Sequence, residues 1–394
     1  MDFTLSDEQE ELRRTVRSFL GRRSPEAEVR RLMAEEDGHD AATWRLMAGQ
    51  LGLHGLALPE EYGGGGCGML ELGVVLEEMG RALLGGPFFS TVVLAATTLL
   101  FSGDEEACQD LLPGIASGAT VATLAVAEDS GCRDEAGTAL TAERASAGWR
   151  LNGRKNYVPD GHLADVILVA ARTGAGVGLF AVDGTATGLV RKPLRTLDQT
   201  RKQALLEFRS VAARPVGEAG TAWPALRKAL DVAAIALAAE QAGGAAAVLD
   251  MAVGHAKTRV QFGRPIGSFQ AIKHRCADMM VAVESARATA HYALWAAATD
   301  AADLPLVAST AKAYCSQVFT RCAEANVQIH GGVGFTWEHP AQLYLKRAKS
   351  SEMFLGPPSR HREALARHAD FHPRARQEPV PVSTTSASTT RSTA

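Results

Sequence analysis

From Ala222 to Gln261 the chain reads AWPALRKALDVAAIALAAEQAGGAAAVLDMAVGHAKTRVQ, and this run limits the fold more than any other stretch. Small and apolar residues occupy several of its faces, and Pro224 stands where a first helical turn tolerates it. Such a helix has to be covered on more than one side, as in the interior of a bundle. Gly243 and Gly244 fall within it as points for close helix packing. The segments Ser268–Thr299 and Leu304–His330 are similarly long and rich in small residues, so a bundle has the helices it needs.

Upstream the pattern differs. SDEQEELRRTVRSFL opens with Ser6 and carries Gln9 three residues later, a capping-box signature, and its apolar residues then recur at helical spacing. DAATWRLMAGQLGL follows Asp40 as an N-cap, and GLALPEEYGGGGCG is a glycine-rich break. From about Thr120 short apolar or alternating segments (TVATLAVAED, GWRLNGRKNYVP, DVILVAAR, GVGLFAVDG, KQALLEFRSV) predict a β domain of six to eight strands. No G-x-G-x-x-G joins a strand to a helix, so a Rossmann dinucleotide site has no support. The reading is α+β: an N-terminal helical domain (1–118), a middle β domain (119–217), a C-terminal helical bundle (218–370) and a Ser/Thr/Pro-rich tail (371–394) expected to be disordered.

A formal net charge of −3 gives no bias toward nucleic acid or anionic membrane. No run is expected to span a bilayer, and MDFTLSDEQEELRR lacks the features of a signal peptide. The six cysteines show no C-x-x-C spacing; Cys315 and Cys322, seven apart and able to share a helix face, are expected as buried thiols, and the location as reducing cytoplasm.

Three stretches carry a resemblance: AKTRVQFGRPIGSFQAIKHRCADM (256–279), QIHGGVGFTWEHPAQLYLKRAK (328–349) and LGLHGLALPEEYGGGG (51–66). Together they closely resemble the acyl-CoA dehydrogenase family over nearly the whole chain. The resemblance implies an N-terminal helical domain, a middle β-barrel domain and a C-terminal four-helix bundle. FAD lies between barrel and bundle and extends to a neighbouring subunit. It also implies a homo- or heterotetramer of family-like subunits, an acyl-CoA substrate (steroid side-chain esters for some heteromeric relatives) and an electron-transferring flavoprotein as acceptor.

By family position Arg259, Gln261 and Phe262 contact the ADP half of an adjoining subunit's FAD, with Ile266 and Gln270 lining the same region. The helix is read as ending at Phe262–Gly263, which leaves Arg259 free to fork onto a phosphate or to act as a C-terminal cation. Gln328, Gly331 and Gly332 are assigned to the pyrophosphate and adenosine side, and His330 is given no role. In the middle domain VAEDSGCRDEAG keeps Glu128 of the family's flavin segment, and main-chain N–H groups from Glu128 through Ser130 to Gly131 are the expected contacts. Tyr157-Val158-Pro159 replaces the family's Trp-Ile-Thr. Tyr157 either shields the flavin or fills the barrel core, and Pro159 offers neither hydroxyl nor backbone donor.

The family's reaction needs a carboxylate to take the α-proton while a β-hydride leaves, with the thioester oxygen stabilised by hydrogen bonds. Ungapped alignment of AKSSEMFLGPPS places Leu355 in the slot of that glutamate, and the alternative slot on the first bundle helix falls at Ala233. Both are empty of acid. Glu240, two turns beyond Ala233, is the candidate substitute base, unless it pairs with an arginine or faces water. Asp231 and Glu352 are nearby acids. Three readings follow: a dehydrogenase with a relocated or borrowed base, a base-lacking subunit of a heteromer, or a member recruited to secondary metabolism.

Overall fold

The computed structural model describes residues 5–129, 131, 134–146 and 148–368; Ser130 and the tail from 371 onward lie outside the described residues. The first part is helical: α1 (Asp7–Arg23), α2 (Glu26–Ala34), α3 (Ala41–Gly49), α4 (Met69–Arg81), a π-helical segment at Phe89–Ala95, α5 (Ala96–Ser102) and α6 (Glu105–Ala116). The caps expected from sequence form. Ser6 and Gln9 bond reciprocally, and the Asp40 carboxylate accepts from the Thr43 N–H at 2.7 Å.

Seven strands follow: β1 (Ala122–Ala125), β2 (Thr141–Ala145), β3 (Gly148–Pro159), β4 (Val166–Thr173), β5 (Gly176–Asp183), β6 (Leu189–Pro193) and β7 (Gln203–Val216). β2, β3, β7, β5 and β4 pair in a closed ring, with β1 added beside β4 and β6 beside β7. Closure removes the free edges that an open sheet would expose. The barrel core is packed by Leu151, Ile167, Phe180 and Leu206, all fully buried.

The chain then enters α7 (Trp223–Thr258), a hairpin of β8 (Val260–Gln261) and β9 (Arg264–Pro265), α8 (Gln270–Ala298), α9 (Leu304–His330), α10 (Gly332–Phe335), α11 (Ala341–Met353) and α12 (Pro358–His368). α7 stops at Thr258 and does not reach Phe262, because Arg259 turns extended (ψ 120°) to start the hairpin. α7 is also long and apolar enough to cross a membrane, contrary to the sequence expectation. Of its most apolar window 89% is buried inside the protein, so its hydrophobicity is that of a bundle interior.

α4 crosses α7 at two glycines. A Cβ on Gly243 would strike the Glu77 carbonyl, and one on Gly80 would strike the Glu240 carbonyl. The two backbones touch only because both side chains are absent, as anticipated for Gly243. α7 and α9 run in the same direction. Their starts share a cavity through Arg227 and Ser309, and at their ends His255 stacks on His330 at 4.1 Å.

Candidate active site

Two residues in strained backbone face each other between barrel and bundle. β3 carries one extra residue against β7 between Lys155 and Val158, a bulge that turns Tyr157 outward at φ 53° and leaves it 47% exposed. Opposite, the turn after α11 places Leu355 at φ 61°, followed by Gly356 at φ 105°. Left-handed backbone at a bulky residue persists only where surrounding contacts enforce it, and such positions cluster at functional sites. Tyr157, Pro159, Leu230, Phe354 and Leu355 together enclose a gap of about 20 Å³.

The contacts that enforce the Leu355 turn are identifiable. Lys312, fully buried on α9, donates from Nζ to the Glu352 carbonyl (3.1 Å), the Gly356 carbonyl (3.1 Å) and Ser316 Oγ (2.9 Å). From α12, His361 Nε2–H donates to the Leu355 carbonyl at 3.1 Å, and its Nδ1 faces Ser309 Oγ at 3.5 Å. Burial and the Lys312 charge push His361 down to about 4, so the ring is neutral, as that pattern requires. Sequence reading missed both residues. Lys312 was detectable as a lone cation amid LVASTAKAYCSQVF, whereas His361 had no signal.

Beside the turn, between the starts of α7 and α9 and α12, lies a larger cavity of about 430 Å³. Leu355 and Gly356 form part of its wall, with Asp231, Arg227 and Arg360 around it. Arg360 reaches across to Asp134 of the barrel domain (2.9 Å). Burial raises Asp231 to about 6, with Arg227 opposing the shift. Asp231 is thus an acid in the same cavity as Leu355.

Glu240 is not. It is 6% exposed, and its Oε1 accepts from both Arg201 Nη2 and Arg347 Nη1, the latter at 2.9 Å. It borders a separate gap of about 20 Å³ with Thr200 and Met79. This corrects the assignment of Glu240 as substitute base: two guanidiniums already hold its carboxylate away from Leu355. Glu352 likewise serves structure, accepting from Thr320 Oγ1 at 3.1 Å. Ala233 is fully buried and supplies no acid.

Glu128 points inward. Its carboxylate accepts from Ala139 N, Leu140 N and the fully buried Lys155 Nζ (2.6 Å), so its side chain braces the barrel and leaves only its backbone for a ligand. Ser130, expected beside it, lies outside the described residues.

The remaining expected cofactor residues gather at the opposite end of the bundle. Arg259 and Gln261 are exposed, and Phe262, at φ 53° on the hairpin tip, is 91% exposed. Ile266 is half-buried and Gln270 exposed at the start of α8. Gln328, Gly331 and Gly332 are exposed at the end of α9. Gly331 needs its φ of 66° and ψ of −142°. An added Cβ at Gly332 would meet nothing within 4 Å, and its φ is not left-handed, so nothing inside the chain demands that glycine. A bare backbone, an outward arginine and an exposed aromatic side chain fit the ADP half of FAD as a ligand from outside this chain. Leu230 and Arg259 are separated by nearly the whole of α7, about 40 Å of helix. One dinucleotide does not span that length, so a single cofactor could not touch both groups of residues.

Known proteins resemble the chain over most of its length. A family model described as "Acyl-CoA dehydrogenase, N-terminal domain" matches residues 6–119, and one described as "Acyl-CoA dehydrogenase, C-terminal domain" matches residues 220–369. Acyl-CoA dehydrogenase IpdE2 of Mycolicibacterium smegmatis is 37% identical over 364 residues, covering 92% of this chain and 98% of the relative. Among solved structures, a variant of the Tcur3481–Tcur3483 steroid ACAD is 35% identical with a TM-score of 0.85, covering 93% of this chain and 99% of the matched one. The ChsE4–ChsE5 complex of Mycobacterium tuberculosis is 31% identical with a TM-score of 0.86, covering 95% and 100%.

Proposed function

Because the chain belongs to the acyl-CoA dehydrogenase family, oxidoreductases acting on CH–CH bonds of acyl-CoA, we propose that it works in α,β-dehydrogenation of an acyl-CoA as one subunit of a heteromeric, FAD-containing assembly. The observation that carries this reading is the pairing of Leu355 at the turn with a cofactor surface split between the two ends of the bundle. Leu355 takes the place of an acid on the turn, and the exposed Arg259–Gly332 end suits the ADP half of a cofactor whose flavin half a second chain would hold.

Bound FAD would supply the hydride acceptor. Tyr157 and the backbone around Glu128 would hold the flavin end, while Arg259, Gln261, Phe262 and the Gly331–Gly332 backbone would hold the ADP end of a neighbour's cofactor. Lys312 and His361 fix the Leu355 turn so that an apolar side chain, and no base, closes the gap opposite Tyr157. The proton acceptor then comes from a related subunit that keeps a carboxylate in its corresponding turn. The Tcur3481–Tcur3483 and ChsE4–ChsE5 structures support the heteromeric assembly, and the steroid ACAD among them supports a bulky, ring-bearing acyl group. A tetramer in the cytoplasm, passing electrons to an electron-transferring flavoprotein, completes the proposal; free thiols at Cys67, Cys108, Cys276, Cys315 and Cys322 support a reducing compartment.

One observation favours a second reading, in which Asp231 is the chain's own base: it lines the Leu355 cavity and is raised to about 6. Purifying the chain alone and co-expressed with a family member that keeps the carboxylate separates the two. The heteromeric reading expects stoichiometric flavin and a single mixed assembly only on co-expression. A yellow homotetramer of the chain alone, turning over acyl-CoA and silenced by Asp231→Asn, would establish the second.

A further inference from the structure

Behind the Leu355 turn lies a buried ionic cluster that the dehydrogenation chemistry does not use. Arg201 bonds Glu240, and Arg347 bonds Glu240 (2.9 Å) and Thr200 Oγ1 (2.8 Å) and pairs with Asp198 (3.1 Å). Asp160 accepts from Ser90 Oγ at 2.7 Å close by, and burial pushes its pKa upward. Two guanidiniums are therefore matched by the carboxylates of Glu240 and Asp198.

One donor in this cluster is unused. Arg201 is 7% exposed, and its Nη1 has no hydrogen-bond partner. An unsatisfied buried N–H of a charged group is costly, and it persists in folded proteins mainly where something else completes it. The guanidinium lies over the rings of Phe354 (5.1 Å) and Phe89 (5.4 Å), which meet edge-on at 5.7 Å. Phe354 also walls the gap beneath Tyr157 and Leu355, while Phe89 and Arg201 border the gap beside Glu240. The aromatic pair thus stands as a partition between the Tyr157–Leu355 gap and Arg201. Phe89 begins the π-helical segment, a local irregularity often found at functional positions.

We propose that Arg201 is a specificity-determining residue which donates Nη1–H to a neutral acceptor oxygen, a ring carbonyl or hydroxyl, on the part of the acyl group remote from the thioester. The charge balance selects the ligand class. A carboxylate would add a further anion to a cluster whose two guanidiniums are already matched, whereas a carbonyl or hydroxyl oxygen satisfies the donor without adding charge. Reaching Nη1 requires the Phe354 or Phe89 ring to turn aside, so a hydrocarbon of the same shape would open the partition and leave the donor unsatisfied. The assignment rests on the proposed role as an acyl-CoA dehydrogenase subunit and adds that the acyl group is received beside Phe354 of this chain.

The test uses the flavin-loaded assembly and two unreactive CoA thioethers with the same ring system, one bearing a ring ketone and the other a methylene in its place. Binding is read from calorimetry and from perturbation of the flavin absorbance. The ketone should bind roughly ten- to a hundredfold more tightly, the range for a hydrogen bond to a charged donor. Arg201→Lys, which keeps the charge but lacks the forked donor, should reduce that preference to within about threefold. Phe89→Leu, which trims one ring over the guanidinium, should strengthen the ketone more than its hydrocarbon match, and it decides the matter should Arg201→Lys not fold. Equal binding of the two ligands by wild-type protein, as expected were Nη1 served by a water only, overturns the proposal, as does equal strengthening by Phe89→Leu. If the assembly binds neither ligand, the acyl-binding reading of this chain fails and takes the proposal with it.

Discussion

At the residue scale, the most informative position is Leu355. Its backbone is bent into a left-handed turn, and a buried lysine and a neutral histidine hold the turn's carbonyls. The absence of a carboxylate was legible in the sequence, because FLGPP aligns without a gap on a well-defined family turn. What replaces it was not legible. Glu240 looked like a spare acid because its partners, Arg201 and Arg347, are distant in sequence and meet it only through the fold. Removing its charge leaves two buried guanidiniums uncompensated. Glu240→Gln should therefore lower stability by roughly 3–5 kcal/mol, read as a fall in melting temperature, with the flavin-reduction rate of the remaining folded assembly unchanged. A large rate loss in stable protein would return Glu240 to the chemistry.

Two histidines give the residue scale a pH signature. His361 and His54 are both held near 4, chiefly by burial, against an ordinary value of 6.5. Between those values the unfolded chain binds more protons than the folded one, so stability is complete above about 6.5 and declines as pH falls toward 4. Carboxylates held low in the fold, such as Glu77 near 2, act only below their ordinary value of 4.5, and Asp231, raised to about 6, offsets part of the loss by binding a proton in the folded state, which leaves the two histidines the larger effect between 6.5 and 4.5. Melting temperatures measured across that interval should drop steadily, and His361→Gln should flatten the slope. An unchanged slope in that variant would show that His361 is not neutral in the folded protein.

At the scale of elements, the crossing of α4 over α7 sets the bundle. Gly243 read from sequence as a close-packing point because it interrupts a helix with no turn nearby, but its partner Gly80 could not be identified without the fold. Glu77, next to that crossing, ties α4 to α8 through Arg287 at 2.8 Å. Gly243→Ala forces the two backbones apart and should cost about 1–3 kcal/mol or more. Gly254→Ala is the internal control: it lies in the same helix with open space around it and should stabilise by about 0.5–1 kcal/mol. Similar effects at the two positions would mean that the crossing is not glycine-dependent. The hairpin after α7 shows where periodicity misleads. Alanine-rich helical patterning continues to Gln261, yet the chain leaves the helix at Arg259 because Pro265 and Gly263 favour a reversal there.

At the scale of the whole molecule, the α–β–α order was readable from the switch of hydrophobic period near Thr120 and back near Pro224, since helices and strands bury different spacings. The ring closure of the barrel and the common direction of α7 and α9 were not, because both depend on long-range pairing. That common direction places the Tyr157–Leu355 gap and the Arg259–Gly332 surface at opposite ends of one bundle, the separation on which the proposed sharing of cofactors between chains rests. Large apolar side chains left outward, among them Phe262, Phe335 and Val333, lie on the same end as that surface and suit coverage by a partner. The most direct test of this account is anaerobic bleaching of the flavin by a panel of acyl-CoAs. It compares the chain alone, the chain with a carboxylate-bearing family member, and the same pair with that partner's turn glutamate changed to glutamine. The account predicts bleaching only for the intact pair. Bleaching by the chain alone, or by the pair whose partner has lost its carboxylate, would contradict it.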